Sequence, residues 1–464
     1  MKPLSLIQLC RMAGGELLGG AGERHAVRVC TDSRQVQPGD LFVALKGEKF
    51  DGHEHVQEAA QAGAVAAMIS DARAGAESKS SFGLIGVEDT LLGLQRLAAA
   101  YRRELSMRVV AVTGSNGKTS TKELIAAVLA KKFKTHKTSG NLNNHIGVPL
   151  TLLQAEPEHE WAVVEMGMNH PGELAPLMEM AGAEWGVITK IGWAHIEAFA
   201  NQEAIALEKA SVIRPLAKTG KAFLNADDTF HSVLLGQTEA EIHSVGTADS
   251  CTLKLELEEL SEEGARFLFR GYGVEAQAKL KAPAWHMVQN AGLALAVGLA
   301  AGVPVKDCVE GLESWDAGGN RLSLIRWEQG YVVNDTYNAS PDSMRAALET
   351  LQKLPVGGRR VALLGSMGEL GSHAGALHWE TGRAVVECGF ELLYALGPGA
   401  EDLCAGAREA GMRDLQALAF PSHEELYNFY KSTRLAGDVI LVKGSRSQRM
   451  ERVVDMLLGG QKPC

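Results

Sequence analysis

Residues 109 to 121 read Val-Val-Ala-Val-Thr-Gly-Ser-Asn-Gly-Lys-Thr-Ser-Thr: an apolar β-branched run, a glycine turn, then a lysine and hydroxyls. A run of this kind predicts a buried strand, and Leu124, Val128 and Leu129 behind it fall on one face of a helix. A strand, a glycine loop and a helix N-terminus together make a concave site for anionic oxygens. Successive backbone N–H groups line it, Lys118 adds a cation, and the Thr119 hydroxyl is placed to reach a magnesium ion. The candidate phosphate-binding residues are therefore Gly114, Ser115, Asn116, Gly117, Lys118, Thr119 and Ser120. Val112 stands where a full Walker A loop has its first glycine, so the motif is the shortened form. A purely structural glycine turn is the alternative, and the flanking strand and helix favour phosphate binding.

A length of 464 residues exceeds what one core organises, and a 46% hydrophobic composition supplies material for two or three cores. The formal charge of −10 argues against a general nucleic-acid binder and for small-molecule partners. The seven cysteines form no C-x-x-C pair, so neither a disulfide framework nor a zinc site is indicated, and a reducing cytoplasm fits. Gln8 and Arg11 interrupt the apolar N-terminus, and the alanine-rich run 290–303 is too short to span a bilayer. Neither membrane insertion nor nucleic-acid binding is expected.

Strand-like and helix-like segments alternate throughout, which predicts an α/β fold. A first unit covers residues 1–104 and closes with a helix over 91–104. A second, 105–318, contains strands at 161–164 and 186–190, a charged alternating stretch over 251–281 that reads as antiparallel hairpins, and a helix after Pro283. Asp316-Ala-Gly-Gly reads as a linker. The third unit, 319–464, carries apolar strands at 360–364, 392–396 and 439–442, each followed by a glycine turn. That pattern predicts an open parallel sheet of Rossmann-like type with ligands at its carboxyl edge.

Some residues are open when read alone. Glu165 ends the strand-like run at 161–164, and pattern by itself does not separate a metal-binding acid from a surface glutamate. His195, in Gly-Trp-Ala-His, reads alone as a packing histidine, and Lys209 as a solvated helix lysine. Asn290 reads as a helix-packing residue, and Asp32-Ser-Arg as a local turn.

The order of these pieces changes that reading. The Lys118 loop, Asn141-Leu-Asn-Asn-His-Ile-Gly-Val-Pro, Glu165-Met-Gly, Gly192-Trp-Ala-His195 and Lys209 resemble the Mur ligases, the ATP-dependent amide-forming enzymes of peptidoglycan synthesis. The stretch 31–47, Thr-Asp-Ser-Arg through Leu-Lys-Gly, is similar to the N-terminal substrate domain of the members that add the third residue and the final dipeptide. The segments 334–344, 364–371 and 442–447 resemble the dipeptide adder, and the Asp-Asn-Pro-Arg motif expected of the third-residue adder is absent. The likeness spans nearly the whole chain.

The resemblance implies three α/β domains: an N-terminal domain for a UDP-sugar, a central P-loop domain with a mostly parallel sheet, and a C-terminal Rossmann-like domain for the dipeptide. Its substrates would be UDP-N-acetylmuramoyl-tripeptide, D-alanyl-D-alanine and ATP. Ser33, Arg34, Lys46 and Gly47 match the nucleotide end of the acceptor, Asn144 and Asn338 further substrate positions, and Lys443, Ser445 and Arg446 the dipeptide or the closing interface. His286 and Asn290 match the adenine side, and Arg321 and Asp335 the ribose and phosphates. Thr119 and Glu165 correspond to a first Mg²⁺ site, His195 and a carbamylated Lys209 to a second, and Lys118, His195 and Lys209 to the catalytic set. An ammonium about 4 Å from Mg²⁺ is repelled by about 8 kcal/mol at an effective dielectric near 20, whereas a carbamate reverses that sign. A monomer is expected.

The implied reaction activates the tripeptide carboxylate as an acyl phosphate, which the dipeptide amine then attacks inside a closed, dry site. Met287 stands where the family has an asparagine, and Ser366 where it has an aspartate. Folylpolyglutamate synthase would share the loop but lacks the pattern at 31–47, and a nucleotide-gated binding protein would hydrolyse ATP without forming a bond.

Overall fold

The computed structural model describes residues 1–71, 82–316, 321–355 and 357–459. The glycines of the expected linker, within 317–320, lie outside the described residues. The chain is α/β, with three sheets in three successive regions and a two-stranded ribbon near the N-terminus.

The phosphate-loop strand, Arg108–Thr113, occupies the middle of the largest sheet. Its order is Val274–Leu280, Gly264–Gly271, Leu253–Ser261, Glu241–Gly246, Lys221–Asn225, Trp185–Ile188, Arg108–Thr113, Trp161–Glu165, Thr135–Lys137. From Leu253–Ser261 to Thr135–Lys137 neighbouring strands run parallel. The sequence dictates this central position because alternate side chains need cover on both faces. Val110, Val112, Trp161, Val163, Trp185 and Val187 enter one buried cluster, while Val109, Ala111, Ala162, Val164 and Ile188 enter the other. Each valine and isoleucine among them contributes about 1.5–3 kcal/mol on full burial. Trp161 and Trp185, on the strands either side of Arg108–Thr113, pack at 4.8 Å between ring centroids.

Parallel register sets three strand ends side by side: Glu165 is level with Val112, and Ile188 with Thr113. The loop after Thr113, the Glu165 carboxylate and the segment from Thr189 therefore share one carboxyl edge. The helix Lys118–Leu129 begins there and packs on the helix Trp285–Ala300, where Gly298 admits Val128 to its backbone.

The charged stretch expected to be antiparallel forms the three-stranded meander Leu253–Ser261, Gly264–Gly271 and Val274–Leu280. On its outer strand the backbone N–H of Lys279 donates to Glu313 Oε1 at 3.3 Å, from the helix Val305–Glu313.

The third sheet runs Ser323–Trp327, Gly330–Asp335, Val439–Lys443, Arg360–Gly365, Leu392–Leu396, Ala417–Phe420, parallel except for its first pair. Register again matters, because Asp335 lies opposite Lys443 at the carboxyl edge. The first region holds a five-stranded sheet, Glu16–Gly19, Gly83–Gly86, Ala66–Ile69, Asp40–Val43, Arg28–Cys30, covered by the helix Thr90–Arg103. Among the described residues no helix is long and apolar enough to cross a membrane.

Candidate active site

The loop after Arg108–Thr113 is shaped by two glycines. A β-carbon on Gly114 would overlap Thr189 Oγ1, and Gly117 holds φ +84° directly before the helix. Neither position accepts an ordinary side chain without strain. Side chains brace the loop from the next strand end: Thr189 Oγ1 donates to the Asn116 carbonyl at 2.5 Å, and Ser115 Oγ accepts from Gly192 N at 2.9 Å. Lys118 Nζ donates to the Gly114 carbonyl at 2.8 Å, folding back over the loop. The first amides of the helix thus face a cavity of about 420 Å³, lined by Ser115 through Ser120, as an anion site requires. Burial lowers the Lys118 pKa, and Glu165 opposes that shift.

Glu165 is 2% exposed and closes the cavity floor. Its Oε1 accepts from Asn143 Nδ2 at 2.8 Å and from the Thr119 hydroxyl at 3.3 Å. Its Oε2 has no hydrogen-bond partner, and the Lys122 ammonium stands 3.5 Å away. A buried carboxylate oxygen left open beside a threonine hydroxyl is a donor set suited to a hard divalent cation. Among the described residues no three His, Cys, Asp or Glu side chains cluster as a ready-made metal site.

His195 and Glu369 meet across the cavity mouth, with Nδ1 2.7 Å from Oε2 but outside hydrogen-bond geometry, so the pair is a charge contact rather than a hydrogen bond. Both hold left-handed backbone, φ +64° and φ +61°, which costs about 1–2 kcal/mol for each non-glycine residue. The contact with His195 holds the Glu369 carboxyl below the usual glutamate range. Lys209 ends the helix Gln202–Lys209, is 1% exposed and is not part of the cavity lining. Burial, and then the charge of Lys118, pull its amine well below the ordinary lysine value of 10.5.

The third region closes the other side. Arg321 donates to the Thr119 hydroxyl at 3.2 Å and stacks 3.9 Å above the Tyr337 ring. Lys443 Nζ reaches Asp335 Oδ2 at 2.6 Å and the Asn338 carbonyl at 2.9 Å. Ser340 Oγ donates to Asn116 Oδ1 at 3.0 Å, and Asp342 Oδ2 accepts from Trp193 N at 2.7 Å. Burial raises the Asp342 carboxyl. His286 and Asn290 also line the cavity. Burial pushes the imidazole of His286 down to about 4, and Asn290 packs against Gly117.

Most of the candidates converge, and some do not. Asn144 lines the cavity while its Oδ1 caps Gly147 N at 2.9 Å. Ser33, Arg34, Lys46 and Gly47 are not in its lining: Arg34, 83% exposed, pairs with Asp32, and Lys46, 73% exposed, with Asp51. The Asp32 carboxylate accepts from Arg34 N at 3.1 Å, so the local turn is present. Ser445 bonds Ser447 Oγ at 3.0 Å and Arg446 reaches Glu451 at 3.2 Å, both outside the lining. Ser366, at the departure from the family pattern, accepts from Gly399 N at 2.8 Å and is buried. Met287 takes the Asn290 amide on its sulfur at 3.6 Å. Asn143, Lys122, Thr189, Asp342 and Glu369 were not among the sequence candidates, although 143, 342 and 369 lie inside motifs that carried the resemblance.

Comparison with known proteins accords with this geometry. Residues 112–298 match the Mur ligase middle domain, 320–446 the Mur ligase, glutamate ligase domain, and 25–102 the Mur ligase family, catalytic domain. The chain is a Mur ligase. This Mur ligase is 36% identical to the UDP-N-acetylmuramoyl-tripeptide--D-alanyl-D-alanine ligase of Bacillus subtilis over 97% of each chain. Against the Escherichia coli ligase of that name it is 34% identical over 98% of this chain and 99% of the other. Its structure matches MurF from Acinetobacter baumannii with TM-score 0.90 at 31% identity over 99% of each chain. MurF from Thermotoga maritima, solved in complex with ADP, matches at TM-score 0.81 and 28% identity over 93% of this chain and 97% of the other. Mycobacterium tuberculosis folylpolyglutamate synthase, at 19% identity and TM-score 0.65 over 81% of this chain and 94% of the other, shares the fold alone.

Proposed function

We propose that this Mur ligase uses ATP to join D-alanyl-D-alanine to UDP-N-acetylmuramoyl-tripeptide through an acyl phosphate, releasing ADP. The observation that carries the reading is the cavity in which the loop 115–120 faces Arg321 and the Asp335–Lys443 pair. A triphosphate needs that cradle and those cations, and a bare ATP switch has no use for the second wall. The relatives with whole-chain identity of 36% and 34% are named for this reaction.

The work divides among the three units 1–104, 105–318 and 319–464. Ser33, Arg34, Lys46 and Gly47 hold the nucleotide end of the acceptor, on a surface the cavity does not include. Amides 115–120 and Lys118 bind the ATP phosphates, and Gly114 shapes the turn against Thr189. His286 and Asn290 flank the base, and Arg321 and Asp335 reach the ribose and phosphates. Asn144, Asn338 and Lys443 flank the reacting ends, and Ser445 and Arg446 support the turn beside them.

A carboxylate resists acylating an amine because its leaving group would be oxide. Phosphorylation supplies a good leaving group, and Lys118 and Arg321 offset the repulsion between the two anions that must meet. Thr119 and Glu165 would hold one Mg²⁺, and His195 with carbamylated Lys209 a second. Bound Mg²⁺ would neutralise developing phosphate charge. Lys209 suits carbamylation because its lowered pKa leaves a neutral amine to add CO₂. Contacts from Ser340, Asp342 and Glu369 draw the third unit over the cavity and exclude water from the acyl phosphate. The protein works as a monomer on soluble substrates in the cytoplasm, and gel filtration reads the first point.

ADP release measured with each substrate alone and with both tests the reading. Turnover is expected only with the tripeptide nucleotide and the dipeptide together, and oxygen-18 in the acceptor carboxyl should appear in the released phosphate. ATP turnover without either co-substrate, or phosphate free of label, overturns it.

A further inference from the structure

We propose that Glu369 is a positioning residue for His195: its carboxylate packs against the imidazole when the third domain lies over the middle one, so the ring is set in place at the cavity only in the closed arrangement. The Nδ1 to Oε2 separation is 2.7 Å, and both side chains line the cavity. The two segments are also joined through the main chain, where Glu197 N donates to the Glu369 carbonyl at 3.2 Å. Gly371 meets Glu197 closely enough that a β-carbon there would sit 2.9 Å from the glutamate Cβ.

Backbone geometry strengthens the case. His195 and Glu369 both adopt left-handed φ without being glycine, on opposite sides of one domain junction. Such conformations persist where the surroundings over-determine them, and here each aims a side chain at the other. A histidine held against a carboxylate at this distance has a restricted ring orientation, and its second nitrogen is left to bind a cation. The glutamate comes from the domain that must move, so the histidine is set by closure. A lone orienting acid on the same strand would set it permanently.

The kinetic part of this inference rests on the proposed ligase reaction; the contact itself does not. In the complete enzyme, Glu369→Ala should lower kcat about 10- to 100-fold while the KM for ATP stays within about twofold. Glu369→Gln, which keeps the length of the side chain and a polar oxygen beside Nδ1, should keep most activity. In a His195→Ala background, Glu369→Ala should cost nothing further. In protein labelled with nitrogen-15 histidine and saturated with a non-hydrolysable ATP analogue and the tripeptide nucleotide, the His195 ring signal, assigned by its loss in His195→Ala, should move in Glu369→Ala and stay near the wild-type position in Glu369→Gln. If the alanine variant fails to fold, Glu369→Asp, which withdraws the carboxylate by one methylene, gives the same two readouts. Additive losses in the double variant, or an unmoved ring signal, overturn the proposal. Wild-type protein inactive with both co-substrates defeats the ligase reading instead, and leaves the ring signal to decide the contact.

Discussion

Gly117 lies against the side-chain amide of Asn290: a β-carbon on the glycine would sit 2.7 Å from Oδ1. The glycine also holds φ +84°, so Gly117→Ala meets both a steric and a conformational obstacle. A loss of about 1–2 kcal/mol in stability and at least a tenfold weaker ATP affinity are expected. Urea unfolding and calorimetric titration with ATP check the two halves separately.

Lys118 bonds the Gly114 carbonyl and is the cation built into the loop itself. Lys118→Ala should reduce ADP release with both co-substrates by at least about 100-fold. Its unfolding midpoint should fall only slightly, because the lost contact is one hydrogen bond to the Gly114 carbonyl.

Lys122 is fully buried beside Glu165 and Glu123, and its ammonium donates to the Thr138 carbonyl at 2.8 Å. Lys122→Met should cost about 3 kcal/mol, since the buried Glu165 loses the nearest positive charge. Denaturant unfolding measures this, and a variant as stable as wild type would show that the cavity floor tolerates an unpaired carboxylate.

The imidazole of His286 is pushed down to about 4 in the folded protein against an ordinary 6.5, chiefly by desolvation in the cavity wall. Between those values the unfolded chain binds the extra proton, so this residue's contribution to stability is complete above about pH 6.5 and is lost as pH falls towards 4. His286→Asn should flatten that part of the stability profile, as read from urea midpoints at about pH 7 and pH 5.

Lys209 is a neutral-prone amine in a buried position, so exposure to carbon-13 bicarbonate should give a carbamate carbon signal that Lys209→Arg abolishes. Removing dissolved CO₂ should lower ligase turnover, and restoring it should bring activity back. A wild-type protein with no such signal would leave the lysine unmodified and the second cation site one ligand short.

What the chain's letters revealed tracks how local the physics is. The strand Arg108–Thr113, its loop and its helix were legible because a β-branched run, fixed glycines and helical periodicity act within a dozen residues. The meander over 253–280 was legible for the same reason, through alternation of charge and apolar side chains. Glu165 alone was ambiguous, and what places it is register against Val112, a property of two strands. Lys122 gives no local sign of its burial, because helix position alone does not reveal that a carboxylate waits 3.5 Å away. Glu369 and Asp342 act across a domain junction, about which local pattern carries no information.

The outer strand Val274–Leu280 ends the central sheet with Glu275, Gln277 and Lys279 on its exposed positions, and Glu313 already occupies one of its free amides. Another polypeptide seeking to extend the sheet would have to displace that carboxylate and strip hydration from the charges beside it. Growth by strand addition is therefore discouraged at this rim, and with the helix Val305–Glu313 lying against it a nine-stranded sheet can end without becoming a seed for fibres.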